Sequence, residues 1–188
     1  MRNERRRIFI AVALVAFAAV TRYFLQDLPN VETITVSALL AGAFLGGVYT
    51  IAVPLAIIAV TDIAIGNSSI LLFTWSAWAA IGVFGWLRRR HAGATFRFTC
   101  ELTALGVGSS VFFYLWTNFG VWLLFDFYPA TFSGLIASYV AGLPFLKYQV
   151  LGNLVIVPVV AGSIFTLVRT RSTWTQQLHR LVPKRSVK

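Results

Sequence analysis

Three basic clusters punctuate a chain otherwise built of long apolar runs, and this alternation constrains the fold more than any other feature. Arginines gather at Arg2, Arg5, Arg6 and Arg7, then at Arg88, Arg89, Arg90 and Arg97. A third cluster runs through Arg169, Arg171, Arg180, Lys184, Arg185 and Lys188. Several of the runs between them reach the ~20 residues that cross a bilayer as helix. Hydrophobic residues make up 58% of the chain and charged ones 12%, where a soluble domain averages about 25% charged. The chain reads as an all-α integral membrane protein. Its net charge of +10 sits at the ends of apolar runs. That is the pattern of positive-inside topology and of contact with anionic lipid heads, and it argues against nucleic acid as a partner. The start, MRNERRR followed by IFIAVALVAFAAV, mimics a signal peptide, but TRYFLQDLPN follows in place of a small-residue cleavage site, so an uncleaved first span is expected. A lone Cys100 offers no intramolecular disulfide.

Keeping three basic clusters on one face requires an even number of crossings between each pair. Apolar regions cover Ile8 to Leu25, Val31 to Ala64, and Ile70 to Leu87. The middle one would be roughly 50 Å long as a single helix, too long for a ~30 Å core. Gly46-Gly47 divides it with a tight turn on the basic side. Beyond Arg97 lie Phe98 to Phe125 and Tyr148 to Val168, and between them TFSGLIASYVAGLPF reads as a short outer interfacial or re-entrant helix. The expected architecture is therefore a polytopic bundle of six transmembrane helices with both termini cytoplasmic. Residues 1–170 form the membrane domain and 171–188 a basic cytoplasmic tail. Ala38, Gly42 and Gly46 form a small-residue ridge, and Gly106 with Ser110 repeats its spacing, which suits helix–helix packing within the chain.

With the topology set, the rise of ~1.5 Å per residue converts position into depth. Arg22, Asp62, Thr74, Trp75, Trp78, Trp116, Thr117, Asn118 and Asn153, from five helices, fall in one outer band. The outer connections add Asp27, Pro29, Asn30 and Glu32, then Asn67, Ser68 and Ser69, then Phe119, Trp122, Asp126, Tyr128, Lys147, Tyr148 and Gln149. A charge in the membrane faces the bundle interior and finds a partner, so Arg22 and Asp62 either lock two helices together or line an outward pocket. Clustered Trp and Tyr form an aromatic belt at an interface. A connection of about thirty residues from Asn118 to Tyr148 also suggests an aromatic cover for a small ligand. On the inner side, Arg97 and Glu101 stand at i,i+4 and read as a surface pair.

Several chemistries are excluded. There is no G-x-x-x-x-G-K-[ST] loop for ATP. Neither His91 nor His179 lies within a span, which argues against a zinc site or a Ser-His site in the membrane. The carboxylates Asp27, Glu32, Asp62 and Asp126 lack spacing for paired acid–base work. The protein is expected not to be an enzyme, and no metal or cofactor is expected.

The segments TRYFLQDLPNVETITVSALLAGAFLGG, VPLAIIAVTDIAIGN and TNFGVWLLFDFYPATFSGLIASYVAGLPF resemble a group of uncharacterised prokaryotic membrane proteins. That group is similar to the substrate-binding S components of energy-coupling factor (ECF) vitamin transporters, and the resemblance spans Thr21 to Val168. It implies a six-helix bundle in the plasma membrane of a prokaryote, holding a vitamin-like or cofactor-precursor ligand under the outer loops. It also implies docking on a coupling membrane protein with cytosolic ATPase subunits. Many S components dock through an Ala-x-x-x-Ala pattern on the first helix. Here Ala11, Ala13, Ala16, Ala18 and Ala19 include no pair four apart. The expected ligand contacts are Arg22, Asn30, Asp62, Asn118 and Asn153 for polar groups, with Trp75, Trp116, Trp122 and Tyr128 stacking or covering. The alternative is a non-transport membrane scaffold or assembly protein, in which the polar band only joins helices.

Overall fold

The computed structural model describes residues 2–25, 31–65, 70–88 and 95–181. Among these the chain is all-helical. Helix α1 spans Arg2–Phe24, α2 Ile34–Leu40, α3 Tyr49–Ile65, α4 Leu71–Leu87, α5 Thr95–Leu124 and α6 Phe132–Leu181. Three segments are long and apolar enough to cross a membrane: Asn3–Phe24, Phe96–Leu124 and Phe132–Ile164. The other three helices are shorter. Asn30 and the expected polar residues Asp27, Asn67, Ser68 and Ser69 lie outside the described residues.

Helix α2 is the core of the bundle. Every residue from Ile34 to Leu40 is buried, as a helix that is apolar or small all round must be. It continues as a π-helical turn, Ala41–Leu45, closed by the bond from Gly46 N–H to Ala41 O at 2.9 Å. Gly46 and Gly47 then take positive φ of 64° and 58°, which reverses the chain as the sequence suggests. The small-residue ridge explains how α2 fits. A Cβ on Gly42 would stand 2.1 Å from Gly82 O and 2.6 Å from Trp86 N, so α2 and α4 touch backbone to backbone. Across the next contact, a Cβ on Gly82 would stand 2.0 Å from Thr50 O. Pro54, four residues on, has no N–H to bond that carbonyl, which is thus free to press on α4. Gly106 plays the same part between α5 and α6, against Val157 Cγ2.

One end of the bundle collects the arginines. Arg7 Nη2 donates to Leu45 O at 2.6 Å, capping the π turn, and its guanidinium lies 5.1 Å from the centre of the Tyr49 ring. Arg88 pairs with Glu101, which also accepts from Arg97 at 3.0 Å, so the expected surface pair exists with a third member. Phe44 packs on Phe98 at 5.6 Å, which sets the start of α5 beside the end of α2. Successive helices therefore run alternately away from and toward the arginine end.

The last third differs from the sequence expectation. TFSGLIASYVAGLPF is not a separate interfacial or re-entrant helix. It forms the first turns of α6, which runs unbroken for 50 residues through Pro144 and Pro158 and into the basic tail. The connection between α5 and α6 is only residues 125–131, not thirty residues. Thr131 Oγ1 accepts from Gly134 N–H at 3.2 Å and starts α6 as an N-cap. Trp122 Nε1 donates to Pro129 O at 2.9 Å and Phe125 stacks on Phe127 at 5.1 Å. The aromatic stretch thus ties down a short turn.

Candidate functional site

Away from the arginine end, the bundle encloses charge. Counting ~1.5 Å per residue, Asp62 stands about 20 Å along α3 from Tyr49. Arg22, at a similar height on α1, approaches Asp62 Oδ1 at 3.7 Å and donates to Thr61 Oγ1 at 2.7 Å. Trp75 Nε1 of α4 donates to the other carboxylate oxygen, Asp62 Oδ2, at 3.0 Å. The Asp62 side chain is only 8% exposed, so these bonds replace the water it has lost. Just before α2, Glu32 accepts from Gln149 Nε2 of α6 at 3.4 Å and lies within electrostatic reach of Arg22. A hydrogen bond between Thr21 and Thr33 fastens the end of α1 to the same stretch.

These groups line a cavity of about 240 Å³. Arg22, Glu32 and Asp62 supply its charge, Thr74 and Thr117 its hydroxyls, and Trp78 with Phe113 its aromatic wall. The two rings pack with centroids 4.7 Å apart and tilted by 41°. A second cavity of about 260 Å³ shares Ile70, Phe113 and Thr117 with the first. The rest of its lining carries no charge: Tyr114, Asn118, Phe145, Leu146 and Gln149, with Val121. Gln149 borders the neutral cavity and bonds Glu32 of the charged one. The two cavities form a charged chamber beside an uncharged one of mixed apolar and polar lining.

The expected contact residues divide in three. Arg22 and Asp62 meet in the charged cavity, with Trp75 orienting the carboxylate from behind, and Asn118 borders the neutral cavity. Asn118 is also a helix joint: its Nδ2 bonds Tyr114 O at 2.8 Å, its carbonyl accepts from Ser138 at 3.0 Å, and its amide fills the space left by Gly142. Asn153 lies apart from both cavities. It is buried and donates to Ser110 Oγ at 2.8 Å and Thr35 Oγ1 at 3.3 Å, joining α2, α5 and α6. Trp116 is 38% exposed and bonds Ser76 at 2.9 Å, while Trp122, near the end of α5, bonds the 125–131 turn to which Tyr128 belongs. None of these three lines either cavity.

Glu32, Thr117 and Phe113 were not among the expected contacts. Glu32 carried a readable signal, since a carboxylate just before a helix of apolar and small residues must find partners inside the bundle. Thr117 shared the outer polar band and Phe113 carried no signal, and the inward direction of both depends on how α5 is rotated.

Helices of this length and composition around a charged interior define a membrane-compatible, all-helical bundle. Within that class, residues 2–178 match the model of a family of unknown function (DUF6580), and the chain belongs to that family. No curated protein and no solved structure matches the chain.

Proposed function

We propose that this protein captures a small organic molecule in the paired cavities, and that it is the S subunit of an ECF-type importer. One observation carries the capture reading: Arg22, Glu32 and Asp62, from three separate stretches of chain, converge on a cavity instead of being packed over. Each intramembrane charge costs about 2.5–3.5 kcal/mol on insertion scales. Holding helices together would need no enclosed space beside the charges. A ligand would.

The topology proposed is six crossings with both termini cytoplasmic, α2 to α4 being short crossings packed inside the longer helices. Supporting it are the alternating helix directions and the gathering of Arg7, Arg88 and Arg97 at one end, which the positive-inside rule assigns to the cytoplasm. The cavities then face outward from the plasma membrane of a prokaryote. The uncharged chamber, with Phe113, Phe145 and Leu146 beside Asn118 and Gln149, suits the body of a vitamin-like or cofactor-precursor molecule. Import would require the coupling membrane protein and cytosolic ATPase subunits that the sequence resemblance implies, since the chain has no P-loop.

Mass spectrometry of small molecules extracted from the protein purified out of native membranes tests capture. Wild type should yield one stoichiometric compound, and Asp62→Ala should lose it while keeping the helical circular dichroism of the bundle. An empty wild type, or equal loading of a folded Asp62→Ala, would leave the scaffold reading. The importer assignment is tested apart from this, by co-purification with the coupling protein and ATPases. Its absence from native membranes removes import and leaves capture standing.

A further inference from the structure

We infer that the captured molecule is an organic cation, carrying a fixed or protonated nitrogen on a planar or apolar body. This rests on the capture reading above. The first support is charge. The lining of the charged cavity holds one guanidinium and two carboxylates, Arg22 against Asp62 and Glu32. Arg22 is committed to Asp62 at 3.7 Å and to Thr61 at 2.7 Å, while the hydrogen-bond donor at Glu32 is the neutral amide of Gln149, at 3.4 Å. Burial raises the pKa of the Glu32 carboxyl to about 7 against the pull of Arg22, and a second positive charge in the cavity would hold it ionised.

The second support is the wall. Trp78 and Phe113 line the same cavity, and aromatic faces attract cations through their quadrupoles, more strongly where water is excluded. An anion would meet the carboxylates of Asp62 and Glu32, with Arg22 already engaged by Asp62 and Thr61. The neighbouring chamber, which shares Phe113, Thr117 and Ile70, is uncharged and leaves room for an apolar body attached to the cationic head.

Three probes with one ring and different head charges separate the possibilities: benzyltrimethylammonium, benzyl alcohol and benzoate. Binding to the purified full-length protein in neutral detergent is read from tryptophan fluorescence and from thermal shift. Benzyltrimethylammonium should bind at least about tenfold more tightly than benzoate, with benzyl alcohol between them. Glu32→Gln keeps the shape and should weaken the cation by about tenfold while leaving benzyl alcohol unchanged. Asp62→Asn serves as a second variant should Glu32→Gln unfold. Equal affinities, a preference for benzoate, no binding of any probe, or an unaltered cation affinity in folded variants would each overturn the inference. The extraction experiment judges capture separately, so a co-purified neutral or anionic compound sinks the cation and spares the capture.

Discussion

Replacing Gly42 by alanine adds one methyl group where two helices already touch. Its Cβ would lie 2.1 Å from Gly82 O and 2.6 Å from Trp86 N, against 3.4 Å for ordinary contact. Both obstacles are backbone, so no side chain can swing away, and α2 and α4 must part by on the order of 1 Å. A gap of 0.5–1 Å forfeits about a quarter to a half of each dispersion contact. Leu39, wholly buried, backs onto Gly85 in this seam. A buried leucine makes some 40–60 contacts of about 0.1–0.2 kcal/mol; with about half of them across the seam, parting it costs ~0.5–3 kcal/mol at Leu39 alone. Helices in lipid associate through such packing, without a hydrophobic drive between them, and a helix-propensity gain of about 1 kcal/mol offsets only part of the loss. Gly42→Ala should therefore destabilise the protein by roughly 3 kcal/mol or more, at the upper end of overpacking costs. Gly108 is the control: a Cβ there meets nothing within 4 Å, and Gly108→Ala should gain up to about 1 kcal/mol from helix propensity. Thermal and denaturant unfolding of both variants in detergent, followed by tryptophan fluorescence, measures the difference. A Gly42→Ala protein as stable as Gly108→Ala would refute the backbone contact between α2 and α4.

Two further outcomes follow from the hydrogen bonds. Asn153→Ala removes donors to Ser110 and Thr35 and opens space among α2, α5 and α6, so it should lower stability by about 1–3 kcal/mol. It should also leave the affinity for benzyltrimethylammonium within about twofold, because Asn153 touches neither cavity; a selective loss of binding would return it to the site. Thr131→Ala deletes the cap of α6 and should cost about 1 kcal/mol. Amide hydrogen exchange should then quicken in the first turn of α6 and nowhere else, and uniform exchange would refute the cap.

Depth along a helix is a property of sequence, because each residue advances a fixed ~1.5 Å. Arg22 on α1 and Asp62 on α3 could therefore be set at one height from the chain alone, as could the turn at Gly46-Gly47 and the i,i+4 pairing of Arg97 with Glu101. The meaning of the glycines in 131–145 could not. In isolation the stretch reads as a separate short helix, yet Gly134 accommodates the Pro129 carbonyl and Gly142 accommodates Asn118. These two glycines are contact points on a continuous helix. Only the partner surface distinguishes the two.

The sequence by itself determined the class of the protein and the common height of its polar residues. Charge at the ends of apolar runs admits only helices, and helix rise is invariant. Tertiary structure decided which of those residues share a cavity. Trp78 and Phe113 turn inward while Trp116 is exposed, Asn153 ends between helices and Glu32 beside Arg22. Rotation about each helix axis is set by close backbone contacts such as Gly42 on Gly82, which belong to pairs of helices and to neither one alone.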